Sequence, residues 1–333
     1  MARILILGGA GYIGSVLSSH FLKKKNKVVV IDNYIYENQH SIFEFIGNPN
    51  FSIVEGDFSD TKLLNKVSKN LDYVLILGGL VGDPITKKYP KTSKEINDLS
   101  IKKCIDYFDD KSIQKLVFVS TCSNYGLIPD GQFADEEFKL NPLSLYAKAK
   151  VSNEKYLLEK KGMVNYSGVV LRFATAFGLS QRMRFDLTIS EFTRDLYFGK
   201  KLVVFDEHTW RPYCHVNDFA RLIEIVFTAE KSKVDFQVFN SGGDKNNFTK
   251  KMIVDCISSK IKGVKIEFNQ NDSDPRNYRV NFNKVKSVLG FVPEKSVEDG
   301  IDELIKAFNQ GQFKDSSFNI DKYGNYKLNY SLD

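Results

Sequence analysis

Three side chains near the middle of the chain have the types and spacing for base-assisted removal of hydrogen from an alcohol. Tyr146 and Lys150 stand four residues apart in Leu145-Tyr146-Ala147-Lys148-Ala149-Lys150, and Thr121 follows the apolar run Leu116-Val117-Phe118-Val119-Ser120, twenty-five residues before Tyr146. On a helix, positions i and i+4 share a face. The Lys150 ammonium is therefore expected beside the Tyr146 phenol, where it would favour the phenolate and lower a pKa that is about 10 when unperturbed. Tyr146 could then act as a base while Thr121 holds the same oxygen. A Tyr-x-x-x-Lys pair is common in lysine-rich chains, so it gains weight only from a second signal.

That signal is at the N-terminal end. Arg3-Ile4-Leu5-Ile6-Leu7 has the pattern of a buried strand and leads through Gly8-Gly9-Ala10-Gly11-Tyr12-Ile13-Gly14 into a helix expected from Ser15 to Lys25. Gly8, Gly11 and Gly14 recur at three-residue spacing. Such a turn lets a pyrophosphate approach the backbone, and the amides and dipole of the helix start attract its charge. A second apolar run, Lys27-Val28-Val29-Val30-Ile31, ends at Asp32, eighteen residues after Gly14. An acid there can accept from ribose hydroxyls and would repel a 2′-phosphate, which favours NAD over NADP. Asp32 with Asn33 could also simply cap a loop.

The elements that must position these residues are legible as alternation. Strand-like runs at Val28–Ile31, Phe51–Val54, Tyr73–Leu77, Leu116–Val119 and Val169–Leu171 are separated by helical stretches. This predicts an α/β fold, a Rossmann-type doubly wound parallel sheet with the cofactor at the strands' carboxyl ends. Residues 1–178 form the expected dinucleotide-binding domain, with some later segments returning to it. Residues 179–308 form a smaller α/β substrate lobe with a helix at Leu187–Tyr197 and a strand at Leu202–Phe205. Residues 309–333 form a tail, polar but retaining Phe313, Phe318, Tyr323, Tyr326 and Tyr330, more aromatic than disorder usually allows.

Composition excludes several classes. No apolar run among the 333 residues approaches the roughly 18 needed to span a bilayer, and strand one begins almost at Met1 without a signal-peptide pattern, so a cytoplasmic location is expected. Cys104, Cys122, Cys214 and Cys256 are dispersed, which suggests neither a disulfide framework nor zinc. His20, His40 and His208 lack partners at ligand spacing, so no metal is expected. His215, flanked by apolar residues, reads as structural. The net charge of +6 comes from lysines interleaved with acids, a solvated surface rather than a nucleic-acid arm. Arginine is more informative. Of nine, none lies between Arg3 and Arg172, and five fall at Arg182, Arg184, Arg211, Arg276 and Arg279. If they converge they make a diphosphate clamp.

Taken together, these motifs resemble the extended short-chain dehydrogenases/reductases that modify nucleotide sugars, from Met1 to about Phe308. The resemblance makes Thr121, Tyr146 and Lys150 the catalytic triad, with Tyr146 and Lys150 also in the cofactor set and Lys150 reaching the nicotinamide ribose. It places Asp57 and Phe58 against the adenine and Leu77-Gly78-Gly79 beside the cofactor. Gly8, Gly11, Tyr12, Ile13, Gly14, Asp32, Asn33 and Phe173 complete the expected cofactor set. Trp210-Arg211-Pro212-Tyr213-Cys214-His215-Val216-Asn217-Asp218 is similar to the family's Arg-Asp-Tyr-x-His-Val-x-Asp segment, which makes Arg211 a phosphate ligand, although Pro212 stands where an acid is common. Thr121, Cys122, Ser123, Thr175, Arg182, Arg184, Asp186, Leu187, Phe205, Arg211 and Arg276 form the expected substrate set. Helices near Ser93–Phe108 and Tyr146–Lys160 resemble those of the family's dimer contact, so a homo-oligomer is expected.

The resemblance implies oxidation at C4 of a nucleotide-linked hexose or heptose. Water-eliminating relatives carry Asp-Glu after the Thr, whereas this chain has Cys122-Ser123 and no acid to protonate a leaving hydroxyl. The 3,5-epimerising relatives place a cysteine at the position of Ser123, one residue later than Cys122, so the Cys122 thiol is expected to point elsewhere, as a close neighbour of the sugar or a core filler. Thr175 replaces the asparagine of Leu-Arg-x-x-Asn-x-x-Gly, which puts an ordinary UDP-galactose-type 4-epimerase in doubt. The segments around Ser120–Gly126, Leu179–Leu187 and Asp274–Arg279 resemble a subgroup making bacterial surface-polysaccharide sugars, the GDP-D-glycero-α-D-manno-heptose 4-dehydrogenases of capsular heptose synthesis. Membership there would imply tightly held NADH and α-ketoglutarate as hydride acceptor. A 4-epimerase remains the alternative. A non-catalytic NAD-sensing scaffold is a further one, opposed by retention of the whole triad.

Overall fold

A computed structural model describes residues 1–270, 276–316 and 318–333. Seven strands form one parallel sheet: β1 (Arg3–Leu7), β2 (Lys27–Asp32), β3 (Phe51–Glu55), β4 (Tyr73–Ile76), β5 (Lys115–Thr121), β6 (Ser167–Phe173) and, much later in the chain, β10 (Gln237–Ser241). Their order across the sheet is β10-β6-β5-β4-β1-β2-β3. The expected Rossmann-type doubly wound sheet is thus observed. The inner strands β1, β5 and β6 are buried along nearly their whole length, because helices cover both faces, and this is why their sequences read as continuous apolar runs rather than alternating ones.

β1 pairs with β2 on one side and β4 on the other. The chain therefore reverses direction across the sheet at β1, and a crevice opens beyond the carboxyl ends of β1 and β4, the place where open α/β sheets bind ligands. Gly8 N donates to Ile31 O (2.8 Å) and Gly78 N to Leu7 O (2.8 Å), which draws the loops after β1 and β4 together at that crevice.

The remaining strands are β7 (Thr175–Phe177), β8 (Leu202–Phe205), β9 (Trp210–His215), β11 (Asn247–Thr249) and β12 (Ile266–Asn269). They form a three-stranded sheet, β11-β9-β7, and a two-stranded pair, β12-β8. Helices Thr188–Tyr197 and Val297–Asn309 pack with them through Phe177, Ile189, Phe192, Ile301, Leu304 and Phe308. The same cluster takes in Tyr12 and Val16 from the first helix, Tyr12–Lys23, so the two lobes share apolar packing. His215 is fully buried. Its Nδ1 accepts from Asn217 N (3.1 Å), capping helix Val216–Thr228, which leaves Nε2–H to donate to Glu303 (2.8 Å).

The segment expected as one helix over Ser93–Phe108 contains a π-helical turn at Glu95–Leu99 between α-helical pieces. The turn lets the buried Asn97 side chain accept from Leu80 N (2.7 Å) and donate to Leu80 O (3.0 Å), while Asn97 O accepts from Asn153 Nδ2 (2.6 Å). An extra residue in a helical turn frees a carbonyl for just such a partner. It secures the loop after β4 to the helix that carries Tyr146 and Lys150.

All four cysteines are free thiols. Among the described residues no group of His, Cys, Asp or Glu is arranged to hold a metal, and no helix is long and apolar enough to cross a membrane.

Candidate active site

A cleft of about 610 Å³ runs along the carboxyl ends of the sheet and under the second lobe. Its floor at one end is the glycine turn. Gly8 has φ +83°, and a Cβ there would lie 2.6 Å from Gly78 Cα; a Cβ on Gly14 would lie 2.6 Å from Gly8 O. Both positions thus need glycine to bring turn, helix and neighbouring loop into contact. Gly11 caps helix Tyr12–Lys23 without a side-chain acceptor, and Gly11, Tyr12, Ile13 and Gly14 line the cleft. Uncapped amides at a helix start suit a pyrophosphate. Gly14→Ala is expected to weaken NAD binding by about tenfold or more, read by fluorescence titration, with little change in the far-ultraviolet spectrum.

Asp32 and Asn33 line the same end. Asp32 accepts from Ala10 N and from Tyr34 N, each at 2.9 Å, so the loop-capping contact is present. A carboxylate lining the cleft can also accept from ribose hydroxyls. Burial raises the Asp32 pKa, opposed by the Tyr34 and Ala10 amides. Phe58, Leu77, Gly78 and Gly79 follow along the wall. Asp57, expected at the adenine, does not line the cleft; it is exposed, and its Oδ1 accepts from Ser59 N (2.7 Å) because the turn after β3 folds its carboxylate back on its own backbone.

Thr121 ends β5, and Tyr146 and Lys150 share the helix Leu145–Glu159, capped by Ser144. All three line the cleft with Ser123, Phe173 and Thr175. Thr121 Oγ1 and Ser123 Oγ are 2.7 Å apart. Lys150 Nζ donates to Val119 O (2.7 Å) and lies 5.6 Å from the Tyr146 ring centroid. The expected proximity is present, but its electrostatic consequence is not. Tyr146 is half-covered as a residue, yet its phenol is deep in the cleft, and burial pushes its pKa well up, with Arg184 as the main cation opposing the rise. Lys150 is itself pushed down to about 7 by burial, with Glu154 opposing. Desolvation is thus the largest influence on both groups.

The depressed Lys150 pKa makes stability depend on pH. Below about pH 7 the folded and unfolded chains both hold the proton, and the cost of burying the ammonium is fully felt. Between about 7 and the ordinary value of 10.5 the unfolded chain binds more protons, so stability from this group rises with pH. The slope reaches about 1.4 kcal/mol per pH unit at most. Urea unfolding of cofactor-free protein at pH 7 and pH 9 is expected to show this rise, and Lys150→Met to remove it.

Of the five arginines, Arg182, Arg184, Arg211 and Arg276 line the cleft. Each has protein contacts. Arg184 pairs with Asp186 through two bonds (2.9 and 2.5 Å), Arg276 Nη1 lies 2.8 Å from Asp83, Arg182 donates to Gly324 O (3.1 Å), and Arg211 donates to Trp210 O (2.7 Å). Arg279 stands apart from the cleft, its guanidinium over Phe133 and Trp210. Asp186 and Leu187 also line the cleft. Asp274 and Pro275, in the segment singled out around Arg276, lie outside the described residues.

Two expected substrate contacts are corrected. Cys122 is 1% exposed and donates to Arg172 O (3.1 Å); the 3₁₀ turn Cys122–Tyr125, capped by Thr121, swings its thiol into the core rather than toward a sugar. Phe205 does not line the cleft because β8 alternates, with Val204 inward and Phe205 outward. Its carbonyl instead accepts from Lys250 Nζ (2.7 Å). Lys250, Tyr36, Asp83 and Glu191 line the cleft outside the expected set, as do Tyr213 and Tyr278, which fall within the family-like segments Trp210–Asp218 and Asp274–Arg279. Pro84 after Gly82-Asp83 is a helix-start signal that could have flagged Asp83; Lys250, Tyr36 and Glu191 carry no local pattern.

Fold and cleft together define a two-lobed dinucleotide-binding α/β protein. The NAD dependent epimerase/dehydratase family matches residues 4–242, and the chain belongs to it. It is therefore an NAD-dependent enzyme of the extended short-chain dehydrogenase/reductase type. Over 333 aligned positions it is 25% identical to protein CapI of Staphylococcus aureus, covering 91% of this chain and 97% of that one. It is 25% identical to the UDP-glucuronate 4-epimerase of Thermodesulfobacterium geofontis, covering 92% and 95%. It shares its fold with the dTDP-glucose 4,6-dehydratase of Bacillus anthracis, solved in complex with NAD, at a TM-score of 0.82 and 23% identity over 96% of this chain and 98% of that one.

Proposed function

We propose that this enzyme oxidises the C4 hydroxyl of a nucleotide-linked sugar to a 4-keto sugar in bacterial surface-polysaccharide synthesis, with GDP-D-glycero-α-D-manno-heptose as substrate. NAD, when bound, supplies the acceptor for the hydride from C4. Gly8, Gly11, Tyr12, Ile13, Gly14, Asp32, Asn33 and Phe58 would hold it along the first half of the cleft, and Lys150 its nicotinamide ribose. Thr121 and Tyr146 hold the sugar oxygen, and Tyr146 takes its proton. Because burial keeps the Tyr146 proton on in the cofactor-free cleft, the base form has to arise in the loaded site, helped by protonated Lys150. Arg211, Arg276 and Lys250 supply cationic charge for the diphosphate.

The reading is carried by the two residues next to Thr121 in the chain. Cys122 is in the core and Ser123 is hydrogen-bonded to Thr121, so neither offers the acid that eliminating water would require. Oxidation without elimination is what those neighbours support. The likeness to a protein named as a 4-epimerase favours a second reading, in which the ketone turns over in the cleft and is reduced from its other face. Incubating the protein with GDP- and UDP-linked sugars, with and without α-ketoglutarate, separates the two. A stoichiometric burst of reduced cofactor absorbance that becomes turnover only with the keto acid supports the dehydrogenase. Inversion at C4 without any acceptor would replace it with the epimerase.

A further inference from the structure

Residues 323–333 cross the cleft. Tyr323 packs on Phe185 (5.6 Å between centroids), and its carbonyl accepts from Phe185 N (2.6 Å). This fixes the segment to the substrate lobe. Gly324 O then receives Arg182, and Asn325 bridges the two sides, its N donating to Asp186 (3.3 Å) and its Nδ2 to Val81 O (2.8 Å). Asn325 and Tyr326 line the cleft itself. Leu328 is 7% exposed and packs with Ile35 and Leu80 from the loops after β2 and β4 and with Ile85 of the helix Asp83–Lys88.

The segment next runs beside the loop that begins at Asp32. Asn329 N donates to Ile35 O and Asn329 Nδ2 to Tyr34 O, each at 3.0 Å, and Tyr330 OH accepts from Asn33 Nδ2 (2.7 Å). It is tied down at its far end, where Asp333 accepts from Lys91 N (2.9 Å), Thr92 N (3.0 Å) and Thr92 Oγ1 (2.9 Å). Residues 324–333 thus contact the substrate lobe, the loop after β4 and the loop carrying the ribose-side acid, spanning the cleft between lobes.

We propose that residues 324–333 form part of the cofactor site, a strap that closes the adenosine end of the cleft over a bound dinucleotide and slows its exchange. For the cofactor to leave, the loop Asn33–Ile35 must separate from Asn329 and Tyr330, or Leu80–Val81 from Asn325 and Leu328. Either movement breaks several hydrogen bonds and opens apolar packing together. A dinucleotide held in this way stays through repeated turnovers and is restored in place, whether by a second substrate or by re-reduction of the ketone. The inference rests on NAD being the cofactor.

The test is the dissociation rate of NADH from the intact protein, followed by fluorescence while excess ADP-ribose is added. Three forms are compared: the natural chain, the double variant Thr92→Val with Asp333→Ala, which loosens only the far anchor, and a chain shortened to Gly324. Faster release, by about tenfold in the double variant and more in the shortened chain, is expected. Rates within twofold of the natural chain in a double variant with an unchanged melting temperature would overturn the strap, whatever the shortened chain does. A natural chain that binds no NADH would instead defeat the cofactor assignment.

Discussion

Tyr146→Phe is expected to lower the rate of sugar oxidation by about 10²–10⁴ while NAD still binds. The phenol oxygen is the only part of the side chain removed, and the ring stays packed near Lys150, whose Nζ lies 5.6 Å from its centroid. The cofactor's expected contacts are dominated by the glycine turn and the loops after β2 and β4, none of which touches that oxygen. The two measurements are single-turnover reduction of bound NAD by the nucleotide sugar and equilibrium NAD binding. A variant that keeps its turnover removes the base from the mechanism. One that loses cofactor as well as rate assigns Tyr146 a role in binding.

The largest stability effect is expected beneath the site. Glu154 and Arg172 are 2% and 5% exposed, with Arg172 Nη2 2.8 Å and Nε 3.1 Å from Glu154 Oε2. Glu154 also accepts from Asn124 Nδ2 (2.7 Å) and from Ser120, and Arg172 donates to Tyr125 OH (3.0 Å) and Glu136 O (3.1 Å). This network joins β5, β6, the turn after Thr121 and the helix bearing the catalytic pair. Glu154→Ala leaves the guanidinium buried without its counter-ion, a change worth about 3–5 kcal/mol. Urea denaturation measures it. Glu154→Leu with Arg172→Met removes both charges and is expected to recover much of the loss, because what costs most is an unpaired buried ion rather than the absence of the pair. A loss under about 1 kcal/mol in Glu154→Ala would mean water reaches Arg172 and the pair is not sealed. Glu154 also opposes the depression of Lys150, so the same variant should move the Lys150 titration lower.

The corrections share a cause. The proximity of Tyr146 and Lys150 comes from helix spacing, but the balance between Coulomb attraction and desolvation depends on how deep the pair sits, which no i, i+4 rule contains. Cys122 was placed by its position next to Thr121, and Phe205 by the resemblance. Their side chains point away because a 3₁₀ turn and the two-residue repeat of a strand set direction independently of position.

What the amino-acid sequence determined by itself is whatever is encoded in short range. The buried strands, the glycine turn, Asp32 at the end of β2 and the triad spacing all depend on backbone geometry and periodicity over a few residues, and they suffice to specify a doubly wound sheet with a dinucleotide crevice. Tertiary structure alone decided that Lys250, Tyr278 and Asp83 share the cleft, that a π turn lends Asn97 to Leu80, and that Asn325 to Asp333 cross the opening. These contacts join segments up to about three hundred residues apart, as Asn33 and Tyr330 are. Polar loop residues that make them carry no repeat of 2 or 3.6, so only the folded chain, by bringing the lobes together, gives such side chains their partners.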